Sequence, residues 1–67
     1  MDKFSERLKE SLKANQISQS ELARKINVSQ QLINNYCTGI SKPSVDVLIL
    51  ICKTFGESSD YLLGLVD

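Results

Sequence analysis

The chain of 67 residues has no histidine and no tryptophan, and it holds only two cysteines, one proline and three glycines. Without histidine it lacks the side chain most often used as a metal ligand and as an acid–base catalyst near neutral pH. Cys37 and Cys52 stand too far apart to form a paired motif, so we expect free thiols in a reducing cytoplasm. We also find no glycine-rich phosphate loop and no nucleophile–base arrangement, so we expect no metal, no cofactor and no enzymatic activity.

The sequence also has no excess of positive or negative charge and no long run of apolar residues. Eight basic and eight acidic residues cancel, whereas nucleic-acid-binding proteins often carry a basic excess. No apolar run approaches the ~18 residues of a membrane span, and no charged-then-apolar leader is found, so we expect a cytoplasmic protein without membrane contact. An apolar content of 42% with few aromatic residues favours a compact helical bundle over a sheet.

Periodic apolar residues and capping residues predict five short helices, which form one all-α domain over residues 1–67. The first helix runs from Asp2 to about Asn15, and its apolar residues Phe4, Leu8 and Leu12 recur at every fourth position. The other four helices are predicted at 19–26 after the N-cap Ser18, at 30 to about 37 after Ser29, from the N-cap Ser44 through Phe55, and at 60 to about 63 after Ser58 or Ser59. Glu21 completes a capping box at Ser18. Gly39 ends the third helix and Gly56 ends the fourth.

Residues 18–39 place apolar side chains where a helix-turn-helix needs them. The positions fall on two short faces, Leu22, Ala23 and Ile26 on the first and Val28, Ile33 and Tyr36 on the second. Asn27 lies between the two helices, and asparagine is the residue other than glycine that best tolerates the left-handed backbone of such a turn. Ala23 is small enough to let the two helices cross closely. The pattern therefore predicts a DNA-reading helix-turn-helix.

The third helix carries four primary amides: Gln30, Gln31, Asn34 and Asn35. At ~100° per residue, Gln31 and Asn35 point almost opposite to Ile33, which must face the core. A primary amide offers a donor and an acceptor together, which matches the N6/N7 edge of adenine in the major groove. We therefore predict that these amides read bases rather than form a merely solvated polar surface. Leu32 is expected to support the edge of the core.

Several motifs together resemble the phage repressor/Cro-type (XRE-like) helix-turn-helix domain of bacterial transcription regulators. They are E-R-L-K-E, S-Q-S-E-L-A, N-V-S-Q-Q-L-I-N-N-Y, K-P-S-V-D-V-L-I-L-I-C-K-T-F-G and S-S-D-Y-L-L-G-L, which cover nearly the whole chain. The resemblance implies a lambda-repressor-like five-helix bundle. It also implies that Gln19 holds a phosphate and buttresses Gln30, and that Gln30, Gln31 and Asn35 contact bases.

Phosphate contacts are expected around this surface. The resemblance implies contacts from the loop containing Lys42 and from the start of the fourth helix at Ser44, where free backbone N–H groups attract anions. We add Ser29 at the start of the third helix and Thr38 just past its predicted end. The cations Lys9, Lys13, Arg24 and Lys25 are further candidates to rim the site, although a solvated surface role fits each of them as well.

One departure from the family pattern concerns an ion pair. Relatives commonly pair an arginine late in the first helix with a glutamate that ends the third, whereas this chain has Leu12 and Cys37 there. Exchanging a buried ion pair for packed apolar groups is often neutral or stabilising. We therefore predict that Leu12 and Cys37 lie close together in the core.

Apolar residues of the fourth helix and the tail predict a homodimer. An inward face of Val45, Leu48, Ile49, Cys52 and Phe55 leaves Val47 and Leu50 outside, and the tail adds Leu65 and Val66. Exposed apolar surface of this kind usually marks an interface. The alternative is a tail that folds back over Val47 and Leu50 within one monomer.

The sequence therefore predicts a sequence-specific binder of double-stranded DNA, acting as a transcriptional regulator and most simply a phage- or mobile-element-type repressor. The alternative is a protein-interaction module of antirepressor or antitoxin type with the same fold. The neutral charge favours that alternative, whereas the amide-rich helix argues against it, because protein-binding helices normally expose apolar anchors.

Overall fold

Five α-helices form, as the capping and apolar patterns predict, in a computed structural model that describes residues 3–66. Their bounds are α1 Lys3–Ala14, α2 Gln19–Ile26, α3 Gln30–Thr38, α4 Val45–Phe55 and α5 Ser59–Leu62. Asp2, the predicted start of the first helix, lies outside the described residues. The longest helix, α1, has 12 residues, and no helix in this range has the length and apolar character to span a membrane.

Serine caps begin four of the helices, and each predicted cap is confirmed. The hydroxyl oxygens of Ser18, Ser29, Ser44 and Ser58 accept from the backbone N–H groups of Glu21, Leu32, Val47 and Tyr61 at 3.1 to 3.3 Å. At α2 the capping box is complete, because the Glu21 carboxylate accepts from the Ser18 backbone N–H at 3.3 Å. These bonds satisfy donors that every helix start leaves without a partner.

The turn between α2 and α3 has the backbone that the sequence predicts. Asn27 is left-handed, with φ 60° and ψ 49°. The Val28 N–H donates to the Ala23 carbonyl at 2.9 Å, which closes the end of α2. Ala23 is buried between the helices. The helix-turn-helix arrangement of residues 18–39 is therefore confirmed.

A single buried cluster joins all five helices. Its members are Phe4, Leu8, Leu12, Leu22, Ala23, Ile26, Ile33, Tyr36, Cys37, Ile51 and Leu62. Two contacts join α1 to α3. The Ser5 hydroxyl donates to the Tyr36 carbonyl at 2.9 Å, and the rings of Phe4 and Tyr36 pack edge to face with 6.1 Å between their centroids. The outer side of α3 therefore stands on a fixed support. Leu12 and Cys37 both belong to the cluster, as a close approach requires.

The inward face of α4 differs from the prediction. Ile51, which the prediction omitted, is fully buried, whereas Val45 and Ile49 are 73% and 46% exposed. Val47 was expected outside, but it is partly buried and packs against the core. Compared with the prediction, the helix is rotated by roughly 60° about its axis. The polar residues of α4 mark its outer side: Asp46 and Lys53 are both exposed and lie nearly opposite Ile51 at ~100° per residue. The prediction considered only the apolar residues and did not use this signal.

The segment after α5 is attached to α1 by Arg7. Its guanidinium donates to the carbonyl oxygens of Tyr61 at 2.7 Å and Val66 at 2.5 Å, and it lies 4.4 Å from the centre of the Tyr61 ring. The tail does not hide Leu50, which remains 42% exposed, and Leu65 and Val66 are 70% and 50% exposed. The fold-back alternative is therefore contradicted at Leu50, while Val47 is partly buried. Three of the four residues predicted for dimerisation are open to solvent.

Candidate nucleic-acid interface

The amide-bearing surface of α3 lies opposite its core-facing side. Ile33 is fully buried, while Gln30 and Gln31 are exposed and Asn34 and Asn35 are half-buried. The four amides therefore share the outer surface of the helix with no charged residue among them. They can present hydrogen-bond donors and acceptors to a ligand without the need to move the core.

Two of these amides are bonded to each other. The Gln31 Nε2 donates to the Asn35 Oδ1 at 3.0 Å, across one helical turn. The sequence analysis did not identify this pair, although the spacing of four residues between two amides is a signal for it. Leu32, as expected, is partly buried and packs against the core.

Ser29 and Ser44 occupy equivalent positions at the starts of α3 and α4. Each side chain is exposed and accepts one backbone N–H through its oxygen, which leaves the hydroxyl proton directed elsewhere. A capping serine can therefore donate to a phosphate while it caps its helix. Asp46 lies in the first turn of α4, and its negative charge opposes anion binding at that helix start.

The other predicted phosphate ligands are placed less uniformly. Lys42 is exposed in the loop before α4, and Gln19 is half-buried at the start of α2. No hydrogen bond joins Gln19 to Gln30 within residues 3–66, so the buttress implied by the resemblance stays a prediction. The Thr38 hydroxyl donates back to the Asn34 carbonyl at 3.0 Å, so it needs to rotate before it can donate to a phosphate.

Charge is distributed unevenly along the neutral chain. Residues 19–44, which include α2, α3 and the following loop, contain three basic residues and one acidic residue, a net charge of +2. The basic residues are Arg24, Lys25 and Lys42, all exposed. The acidic one, Glu21, is engaged in the capping box. Lys9 and Lys13 are exposed on α1. Residues 3–14 carry the same net charge of +2, with four basic and two acidic residues, whereas residues 45–66 carry a net charge of −2. The basic part of the described chain therefore comprises α1 together with the helix-turn-helix, which suits a polyanionic ligand.

The sequence analysis missed the role of Arg7 in holding the C-terminal segment. Its only signal is an arginine on α1 and an aromatic residue late in the chain, which is too common a combination to be informative. Within residues 3–66, no group of three or more cysteine, aspartate or glutamate side chains could hold a metal ion.

A family profile described as helix-turn-helix matches residues 8–62, most of the chain. The chain belongs to the helix-turn-helix family. This helix-turn-helix protein is 31% identical over 64 residues to the HTH-type transcriptional regulator YobD of Bacillus subtilis (strain 168), a match that covers 96% of the chain and 57% of YobD. It is 34% identical over 58 residues to the HTH-type transcriptional regulator ImmR of the same organism, with 87% of the chain and 46% of ImmR covered.

Solved structures show the same fold. A transcriptional regulator from Listeria innocua matches with a TM-score of 0.89 and 28% identity over the whole chain and 63% of that protein. The SOS-response transcriptional repressor LexA from Eubacterium rectale matches with a TM-score of 0.86 and 30% identity, over 91% of the chain and 65% of LexA. The helix-turn-helix protein spans about half the length of the curated relatives it matches.

Proposed function

We propose that this helix-turn-helix protein binds double-stranded DNA sequence-specifically, with residues 1–67 acting as a single DNA-binding domain of a transcriptional regulator. The observation that carries the proposal is the outer surface of α3, where Gln31 and Asn35 stand almost opposite the buried Ile33. Asn34 lies beside them, and Gln30 is exposed at the N-terminal end of the helix. A helix of this kind fits the major groove, and its amides match the donor and acceptor pattern of base edges. Gln30, Gln31 and Asn35 read bases, with Asn34 beside them.

Phosphate contacts surround this reading surface. Ser29 and Ser44 offer hydroxyl protons at two helix starts, and Lys42 adds a charge between them. Gln19 and, after rotation of its hydroxyl, Thr38 complete the set. The net charge of +2 in residues 19–44 supports DNA over an interaction module for proteins. Repression is the proposed sign of regulation, because the chain resembles phage-type repressors and matches a structure described as a transcriptional repressor.

We further infer that the protein binds its operator as a homodimer. The Cα atoms of the described residues extend 28 × 24 × 22 Å, which is shorter than the ~34 Å that separates successive major grooves on one side of the duplex. One copy therefore reaches one groove only. Leu50, Leu65 and Val66 offer exposed apolar surface for a second copy, with a lesser contribution from the partly buried Val47.

Selection of binding sites from a random DNA pool tests the proposal. We expect a palindromic consensus and a loss of about 1–3 kcal/mol on the selected site for Gln31→Ala, with the preference reduced at one base position. Lys42→Ala should instead weaken all sequences alike and lower the salt slope by about one unit. If Gln31→Ala loses as much affinity on random DNA as on the selected site, base reading by Gln31 is excluded. If the selection yields no preferred sequence, the protein-interaction alternative is favoured.

Sedimentation on and off the selected operator tests the dimer. Val66→Glu or Leu50→Glu should weaken operator binding and leave the monomer folded, because both side chains are exposed. Lys53→Gln is the matched control, because it changes the net charge by the same −1 at an exposed position of α4 that is not apolar. A single monomer bound to each full operator would contradict the dimer.

A further inference from the structure

The hydrogen bond between Gln31 and Asn35 restricts how Asn35 can meet a base. An asparagine amide can turn over by half a rotation about its last torsion with little change of shape, which exchanges its donor and its acceptor. A free asparagine can therefore present either group to a base edge. Asn35 is not free, because its Oδ1 accepts from the Gln31 Nε2 at 3.0 Å.

We propose that Gln31 is a positioning residue that determines which group Asn35 presents to the operator, a proposal that rests on the proposed function above. With Oδ1 turned toward Gln31, both protons of the Asn35 Nδ2 point away from it. Asn35 then acts chiefly as a donor. In the major groove its partner is an acceptor, such as guanine N7 or O6, adenine N7 or thymine O4. The base preferred at the position that Asn35 contacts is therefore determined by Gln31 and Asn35 together.

The burial of the two side chains supports this assignment of roles. Asn35 is half-buried, while Gln31 is exposed and reaches across one turn to it. The Asn35 main chain is also fixed, because its carbonyl accepts the Ile40 N–H at 2.9 Å where α3 ends. Gln31 couples the orientation of the Asn35 amide to its own, because the reverse bond, from the Asn35 Nδ2 to the Gln31 Oε1, requires both amides to turn over together.

Replacement of Gln31 by glutamate reverses the hydrogen bond without any change at Asn35. A carboxylate can only accept, so the Asn35 Nδ2 must turn toward it and Oδ1 must turn outward. Asn35 then presents an acceptor, and its preferred partner becomes a donor such as cytosine N4 or adenine N6. Gln31→Leu removes the bond and adds no charge, so it should leave either orientation accessible and reduce the preference.

The experiment compares site selections for the native chain, Asn35→Ala, Gln31→Glu and Gln31→Leu, with Gln30→Glu as the control. Asn35→Ala identifies the base position that depends on Asn35. At that position we expect Gln31→Glu to shift relative affinity about fivefold or more toward a donor-bearing base. Gln30→Glu adds the same charge to the neighbouring exposed residue. Because Gln30 is itself proposed to read a base, this variant should weaken binding and change the preference at its own base position, but leave the preference at the Asn35-dependent position unchanged.

Each other outcome overturns the inference in a distinguishable way. If the native chain selects no sequence, the proposed function and this inference fail together. If the native chain is specific but Asn35→Ala changes no position, or if both Gln31 variants lower affinity without a change in preference there, the inference alone fails. An equal shift with Gln30→Glu shows a charge effect in place of positioning. Far-UV circular dichroism checks that every variant is folded, as expected for changes at the exposed Gln30 and Gln31 and at the half-buried Asn35.

Discussion

Gly64 and Gly56 provide a matched pair for testing how the C-terminal segment is held. Both have a left-handed backbone, with φ +80° and φ +68°. A methyl group at Gly56 meets nothing within 4 Å, whereas one at Gly64 lies 2.4 Å from the Lys3 Cβ. Alanine at either position therefore adds the cost of a left-handed residue with a side chain, about 1 kcal/mol, but only Gly64→Ala also adds a steric clash.

The size of the clash can be worked from the structure. Ordinary contact requires at least 3.4 Å, so the segment must move by about 1 Å away from α1. The same movement lengthens the 2.5 Å hydrogen bond from Arg7 to the Val66 carbonyl to about 3.5 Å, beyond useful hydrogen-bond range. This bond is exposed, so its loss costs no more than about 1 kcal/mol. We expect Gly56→Ala to lower the free energy of unfolding by about 1 kcal/mol and Gly64→Ala by about 2 kcal/mol or more.

Urea and thermal unfolding followed by far-UV circular dichroism measure the difference. A gap of about 1 kcal/mol corresponds to roughly 4–8 °C in Tm for a domain of this size. If Gly64→Ala and Gly56→Ala unfold within about 2 °C of each other, the segment adjusts without strain and the proposed contact with α1 does not contribute to stability.

Three further predictions concern capping, the Arg7 contact and the thiols. Ser18→Ala should lower the free energy of unfolding by about 1 kcal/mol in urea, because it removes the hydroxyl of the capping box at α2. Arg7→Lys keeps the charge but loses the planar stack on Tyr61, so unfolding should become easier by about 0.5–1 kcal/mol, and an unchanged urea midpoint would contradict this role. Burial raises the pKa of the Cys37 thiol above its usual 9.0, and burial with the Glu57 carboxylate does the same to the pKa of Cys52. The fold thus favours the neutral thiols, so their contribution to the free energy of unfolding should be fully present below pH 9 and be lost as the pH rises above it. Alkylation at pH 8 should modify the more exposed Cys52 before Cys37.

Local features were predicted well because they depend on residues close together in the chain. The capping box at Ser18 and Glu21 involves one turn of helix, and the left-handed Asn27 is a property of a single residue and its neighbours. The amide surface of α3 follows from helical spacing once Ile33 is assigned to the core. For these features sequence and structure carry the same information.

Features that depend on distant residues were predicted less well. The face of α4 was assigned from its apolar residues alone, and it was wrong for Val45, Ile49 and Val47. The exposed Asp46 and Lys53 mark the outer side of the helix, nearly opposite Ile51, and this signal was not used. The choice of Ile51 as its core residue comes from packing against the rest of the bundle. The alternative of a tail that folds back over Val47 and Leu50 was left open by the sequence, because the position of that segment depends on its attachment to Arg7, far away in the chain.

The sequence by itself determined the five helices, their caps, the helix-turn-helix and the identity of the amides that α3 presents, because each arises from contacts within a few residues. Only the tertiary structure decided how the C-terminal segment is attached to α1 and which apolar side chains remain exposed. It also revealed that Gln31 bonds to Asn35, since periodicity shows which side chains share a surface and not which rotamers they adopt. Contacts between distant residues depend on shape complementarity across the bundle, and hydropathy patterns along one helix do not contain that information.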